Sequence, residues 1–332
     1  MSNLLFTLNA ILPILIPILL GYFLRKINFL SDEFLAKANK FVFTVFIPIL
    51  LFKSLYLKDL SNLDMKFIGF VAIAILILFG IGVVVALFFP DKKQKGVIVQ
   101  ASFRSNYAII GIPLATMLGG SEAEAQAAIV AAVSVPLFNI LAVIALTMYD
   151  HEDGQKINIK NTLYKIVTNP LIIGVFLGLI FCGINSLIGI EAVNNFFHGE
   201  NASTQGMKFV YSTIESLGNV ATPLALVILG GRFKFTAVKK LWKQLTVSVV
   251  LRLVITPLIF LVIAYFIGFK SPTEFAILIA LFGTPIAVSS APMAAQMNQD
   301  EELAGQIVVW TSAFSAISLF IIILICAAIG IF

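Results

Sequence analysis

Gln100-Ala-Ser-Phe-Arg-Ser-Asn-Tyr-Ala-Ile-Ile-Gly-Ile-Pro-Leu-Ala115 is the stretch that decides how this chain is read. It lies inside a long apolar region, yet it carries Arg104, Ser105 and Asn106, then Gly111 and Pro113, near the middle of one membrane-length run. An arginine near mid-bilayer costs about 2.5–3.5 kcal/mol on insertion scales, so such a residue faces a protein interior or an aqueous cavity. Gly111 and Pro113 predict that the helix is interrupted at that pair, which frees backbone groups that need partners. The stretch predicts a binding site made by breaking a helix.

The rest of the composition agrees with a membrane setting. Of 332 residues, 60% are hydrophobic and only 12% charged, and the mean hydropathy is +1.03. A soluble domain of this length does not need so much apolar surface, so the class is an all-α polytopic membrane protein. The apolar runs continue for about 20 residues, whereas barrel strands would alternate over about 10. The net charge of +5 is no nucleic-acid signal, because the basic residues sit in loops and helix ends. Cys182 and Cys326 both fall in apolar runs and read as small core residues. With His151 and His198 they leave little material for a metal site, and none is expected. No Lys or Arg precedes the first apolar run and Arg25 and Lys26 follow it, which predicts a first span that starts outside rather than a cleaved signal peptide.

About ten spans can be marked: roughly 4–24, 34–55, 66–89, 95–118, 124–149, 162–184, 210–231, 238–267, 273–297 and 303–331. A polar linker at 151–161 divides them into a first repeat (1–150) and a second (162–332). Fifteen Lys and Arg fall in loops on one side and five on the other, with Arg104 and Arg252 inside spans. That bias puts the fifteen in the cytoplasm and both termini outside a cell (plasma) membrane.

Five spans in each half make the halves opposite in orientation, so an inverted repeat is expected. Phe103–Ala115 lies over Phe282–Ala294 without a gap, pairing Phe103 with Phe282, Ala108 with Ala287, Pro113 with Pro292 and Ala115 with Ala294. Ile47-Pro48 and Thr222-Pro223 correspond in the same way in the second and seventh spans. Two broken helices, the fourth and ninth spans, are expected to cross near the midplane. N-terminal half-ends there would present unpaired N–H groups and a partial positive charge suited to an anion.

The candidate binding residues are Arg104, Ser105, Asn106 and Tyr107 on the first broken span and Thr284, Ser289 and Ser290 on the second, with Gly111, Pro113, Pro285 and Pro292 shaping the breaks. Arg104 suits a bidentate carboxylate, and the hydroxyls and amide suit its remaining oxygens. The structural alternative is that Arg104 pairs with a helix C-terminus or reaches to the cytoplasmic side while the serines cap broken ends. Arg252, Asn139, Glu215 and Gln296 are candidates for lining or coupling. Arg252 also reads as a residue snorkelling to a nearby membrane boundary, Glu215 as an exposed first-turn carboxylate, and Lys53 as an outer-end snorkeller. Gly174 and Gly178 have the small-xxx-small spacing of close helix packing or of a homodimer contact. Neither a zinc-protease motif, a phosphate loop nor an intramembrane carboxylate pair is found, so no enzyme activity and no cofactor are expected.

Three stretches, Arg104–Pro113, Lys165–Gly174 and Thr284–Pro292, resemble the auxin efflux carrier family in its bacterial branch. Asn106, Gly111 and Pro113 form the most specific part of the match, which covers essentially the whole chain. The resemblance implies a fold like that of the plant auxin carriers and bile-acid sodium symporters. A panel of the first, second, sixth and seventh spans would face a core of the other six, with substrate at the crossover of the fourth and ninth. It also implies small organic acids such as malate or malonate as substrates, moved by alternating access. A sodium-coupled symporter of the bile-acid type, and an anion channel or sensor on the same scaffold, stay open as alternatives. The coupling ion is left unassigned between proton, sodium and none. Arg104 departs from the auxin carriers and favours a more anionic substrate. The partners expected are the organic anion and membrane lipid, with no nucleic acid.

Overall fold

The computed structural model describes residues 2–56, 64–149, 164, 167–188, 205–233 and 235–332, and every regular element among them is a helix. The linker at 151–161 with its His151, and the stretch 189–204 with His198, lie outside the described residues. In chain order the helices are α1 (Ser2–Lys26), α2 (Asp32–Phe41), α3 (Ile47–Leu55), α4 (Met65–Ala86), α5 (Lys92–Phe103) and α6 (Ile112–Thr147). They continue with α7 (Pro170–Ile188), α8 (Gln205–Arg232), α9 (Phe235–Val250), α10 (Thr256–Ile267), α11 (Pro272–Phe282), α12 (Ser290–Gln296) and α13 (Glu301–Ala328).

Six stretches among the described residues are helical, long and apolar enough to cross a membrane: Asp32–Lys53, Met65–Ala86, Gln126–Thr147, Phe209–Arg232, Val238–Ile267 and Glu301–Ala328. Large apolar side chains point outward along them, including Ile73, Leu76 and Ile77 on α4 and Leu258, Val262 and Phe266 on α10. Such faces would be a liability in water and are at home in lipid. The chain has the build of a multi-pass membrane protein.

The stretches expected as the fourth and ninth spans are not single helices. α5 has 12 residues and α11 has 11, so each rises only about 16–18 Å, short of a hydrocarbon core of about 30 Å. They end at Phe103 and Phe282, the two phenylalanines that the gap-free alignment pairs. After them the chain is irregular over 104–106 and 283–289. The first interruption is therefore upstream of Gly111 and Pro113, where the sequence placed it. Pro113 stands in the first turn of α6, and Pro292 in the first turn of α12, positions where a missing N–H is tolerated. Pro285 does lie inside its break.

A shared device accounts for the shift. Among the described residues three five-residue π turns occur, Val42–Phe46, Tyr107–Gly111 and Leu251–Ile255, and each is followed after one residue by a proline, Pro48, Pro113 or Pro257. A proline ring clashes with the carbonyl four residues back. Lengthening the turn by one residue, so that the residue before proline bonds five back (Ile47 to Val42, Ile112 to Tyr107, Thr256 to Leu251), relieves the clash without ending the helix. Gly111 and Pro113 thus bend the helix that resumes after the break. α6 itself turns at Gly120, whose φ of 71° is a conformation for glycine.

Packing of the long helices is close. α1 lies on α8, and α3 lies on both α7 and α8. A Cβ on Gly230 would overlap the Ile18 carbonyl oxygen, and one on Gly174 would meet that of Pro48 at 2.5 Å. Gly178 likewise faces Leu55, so the Gly174/Gly178 stripe is used within the chain, against α3.

The broken ends are held from behind by Arg252. It is fully buried rather than snorkelling, with Nε donating to the Thr284 carbonyl at 2.9 Å, Nη2 to Leu281 at 2.9 Å and Nη1 to Phe103 at 3.5 Å. These are carbonyls at the C-terminal ends of α5 and α11, which lack intrahelical donors and carry partial negative charge. Thr256 adds a contact to the Ser102 carbonyl at 3.4 Å. The crossing segments bond directly to each other, with the Asn106 amide donating to the Pro285 carbonyl at 2.8 Å.

Two outcomes follow in detergent-solubilised protein. Gly174→Leu should lose stability by about 1–3 kcal/mol or more, since backbone on α3 has no rotamer to yield with. Gly80→Ala, with nothing within 4 Å of the new Cβ, should be neutral or better. Equal thermal stability of the two variants would refute the packing assignment. Arg252→Met should lose about 3 kcal/mol or more by stranding three carbonyls, with Arg252→Lys recovering only part because an ammonium lacks the spread of a guanidinium. Wild-type thermal stability of Arg252→Met would show that Arg252 does not hold the ends.

Candidate functional site

In front of the crossover is a cavity of about 180 Å³. α3 contributes Ile47, Leu50, Leu51 and Lys53 to its wall, and α8 contributes Ala221, Thr222 and Ala225. Facing residues come from the two interruptions, Arg104, Ser105 and Asn106 from one and Ala287, Val288 and Ser289 from the other, and from Val135, Phe138 and Asn139 of α6. The α6 trio and Ile47, Leu50 and Leu51 each recur at helical spacing, which is how single faces of α6 and α3 reach one space.

Arg104 is 1% exposed and has only neutral partners. Nη1 donates to Gln100 Oε1 at 2.8 Å and Met293 Sδ at 3.0 Å, and Nη2 donates to Asn139 Oδ1 at 2.8 Å and Ser289 Oγ at 2.9 Å. Asn139 is itself fixed by donating to the Val135 carbonyl at 2.8 Å. Four of the five guanidinium N–H groups are thereby used, and none meets a carboxylate. Hydrogen bonds to a charged group are worth about 1.5–3 kcal/mol each, yet they leave the charge itself unneutralised, and the effective penalty for burying an ion is several kcal/mol.

Asn106 is 3% exposed, lines the cavity, and its Nδ2 has no partner. The amides of Tyr107 and Ala108, which open the helix after the break, have no acceptor one turn back. The polar groups at the crossover are therefore mainly donors, set among aliphatic and aromatic walls. That arrangement can serve hydrogen-bond acceptors on a small ligand.

The structure separates the sequence candidates into three groups. Arg104, Ser105, Asn106, Ser289 and Asn139 come together on the cavity wall. Tyr107, Thr284, Ser290 and Arg252 stand behind it. Tyr107 donates to the Ala127 carbonyl of α6 at 3.2 Å, and Thr284 donates to the Ala280 carbonyl while sharing a 2.7 Å hydrogen bond with Ser105. Ser290 is buried with no partner for its hydroxyl. Glu215 and Gln296 are not on the wall, although Glu215 stands 3.6 Å from Lys53, which is. Lys53 is the residue that sequence reasoning missed as a lining group. The signal was its place three residues after Leu50 on the face that also carries Ile47.

A second cavity, about 320 Å³, is lined by Ala225 as well, and by Pro292, Ala291 and Ala295. Its wall carries the ion pairs Arg25–Asp32 and Arg232–Glu301, the latter joining α8 to α13.

With that geometry in hand, two comparisons bear on identity. A family profile described as "Membrane transport protein" matches residues 6–323. A protein of Methanothermobacter thermautotrophicus described as an uncharacterized transporter is 25% identical over 318 residues, covering 94% of this chain and 95% of the relative. The profile spans nearly the whole chain, the crossover included, and the chain belongs to the membrane transport protein family, that of the auxin efflux carriers.

Proposed function

We propose that the chain is a secondary transporter of small organic anions, mono- or dicarboxylates such as malate or malonate, which it moves by alternating access. The observation that carries this reading is Arg104, a buried guanidinium on a cavity wall whose partners are all neutral. A carboxylate arriving there supplies the missing negative charge, and Ser289 is a side chain that can turn away to admit it. Asn106 Nδ2 and the amides opening the following helix donate to the remaining oxygens.

The reading extends to the frame. Ten spans in two inverted repeats, 1–150 and 162–332 joined by the linker 151–161, bring the fourth and ninth to one midplane crossing. The packing of α1 on α8 and of α3 on α7 and α8 supports a panel of the first, second, sixth and seventh spans facing a core of the other six. Two cavities that share Ala225 fit the two access routes of such a pair. The Lys and Arg bias supports a cell-membrane orientation with both termini outside.

Uptake of labelled malate and malonate into proteoliposomes tests it. Arg104→Gln should weaken apparent affinity about tenfold or more, the effect of losing a charge-assisted contact, at thermal stability close to wild type. Asn106→Ala should cost less, about threefold to tenfold, as a neutral donor does. Unchanged transport by Arg104→Gln would remove Arg104 from the site, and absence of any carboxylate transport by the wild-type protein would remove the substrate class.

A further inference from the structure

The cavity has a second cation on its wall, and the way it is held differs from the way Arg104 is held. Lys53 lies in a cradle made by one face of α8, where Glu215, Gly218, Asn219 and Thr222 fall at i, i+3, i+4 and i+7. Nζ donates to Asn219 Oδ1 at 2.7 Å and stands 3.6 Å from Glu215 Oε1. Gly218 leaves room for the stem, since a Cβ there would be 3.2 Å from Lys53 Cδ. Thr222, at the end of the same face, lines the cavity.

A charge-assisted N–H···O bond runs about 2.7–2.9 Å, so at 3.6 Å Glu215 balances the ammonium without being bonded to it. An ammonium has three donors, and the neutral Asn219 takes one. Lys53 is thus positioned, partly neutralised and able to serve a further acceptor, with its side chain 23% exposed. Arg104, on the interruption after α5, and Lys53, on α3, line the same cavity, whose wall also includes Leu50, Leu51 and Phe138, which offer nothing to a polar group.

We propose that Lys53 is the second anchor of this cavity and sets its preference for substrates with two carboxylates. One carboxylate takes Arg104, and the other takes Lys53 in place of Glu215, with a short apolar spacer lying along the wall between. This rests on the reading of the cavity as an organic-anion site and names the residue within it that separates dianions from monoanions. A dianion held this way ties α3 to the crossover, which a monoanion on Arg104 alone does not.

The test uses carbon-matched acids on the purified full-length protein, succinate against butyrate and malonate against propionate, read by thermal shift and by competition in proteoliposome uptake. Wild type should favour each diacid about tenfold or more, the size expected for one charge-assisted contact. Lys53→Gln should bring the diacid down to the monoacid's level while the monoacid stays within about twofold, and Lys53→Arg should keep the preference. Glu215→Gln, which removes the competing carboxylate, should tighten diacid binding and leave the monoacid unchanged, and it serves as the independent variant if Lys53→Gln does not fold. Retention of the diacid preference in Lys53→Gln, or equal weakening of both acids, would overturn the assignment of Lys53 while Arg104-dependent anion binding still stood. If the wild-type protein binds neither acid and Arg104→Gln alters nothing, the anion reading fails and this inference with it.

Discussion

A helix that stops in a buried interior exposes carbonyls that have lost their intrahelical donors, and each must be given a donor by the protein itself. Here that requirement falls on the ends of α5 and α11, and Arg252 meets it with one side chain, bonding carbonyls of Phe103, Leu281 and Thr284. The choice of arginine follows from geometry, because a planar fork of donors spans several acceptors where an ammonium or a hydroxyl reaches one or two. Its charge is also answered, since two helix C-termini converge on it. Once the ends are fixed in this way, the crossing segments can bond to each other through Asn106 and Pro285 and keep a defined gap in front. The cavity depends on that clasp.

The two buried arginines illustrate how partners, rather than burial, divide structural from functional charge. Both are fully enclosed. Arg252 is bonded to main-chain carbonyls that have no other donor, so releasing it would strand them. Arg104 is bonded to the neutral side chains of Gln100, Asn139, Ser289 and Met293 rather than to main-chain carbonyls. An anion that displaces one of these replaces a neutral acceptor with a charged one, so the exchange is favoured by the charge that was left unanswered. No such gain is open to Arg252.

How much of this was legible in the sequence depends on the range of the interaction. An arginine amid apolar residues is a local signal, and so is an apolar run, and both led to the crossover and to a membrane protein. The pairing of Phe103 with Phe282 falls on the last residues of two half-helices. The position of the first break was displaced, since a proline signals a clash without saying whether the helix ends or widens into a π turn. Arg252 was read as a residue near a membrane boundary because its partners, 29 to 149 residues away, leave no trace in its neighbourhood. The place of Lys53 on the cavity wall is hidden for the same reason: its cradle is on α8, 166 residues on at Asn219. Thr284 and Tyr107 carry the right chemistry but turn it to Ser105 and α6, a matter of side-chain direction that spacing alone does not fix.

The fixed and exchangeable parts of the site meet at Ser105. Its hydroxyl is bonded to Thr284, whose carbonyl is held by Arg252, while its neighbour Arg104 faces the cavity. The irregular segment that carries both, 104–106, is three residues long and anchored at Asn106 to the second segment, so Arg104 cannot shift far without moving both broken helices together. An anion drawn to Arg104 is therefore coupled to the crossover as a unit rather than to one loose side chain. Contacts from the opposite wall, on α3 and α8, come from helices packed on one another. A ligand in this cavity thus touches the two interrupted segments on one side and the α3/α8 wall on the other. In a protein built this way, binding and relative helix position are linked by the same few contacts.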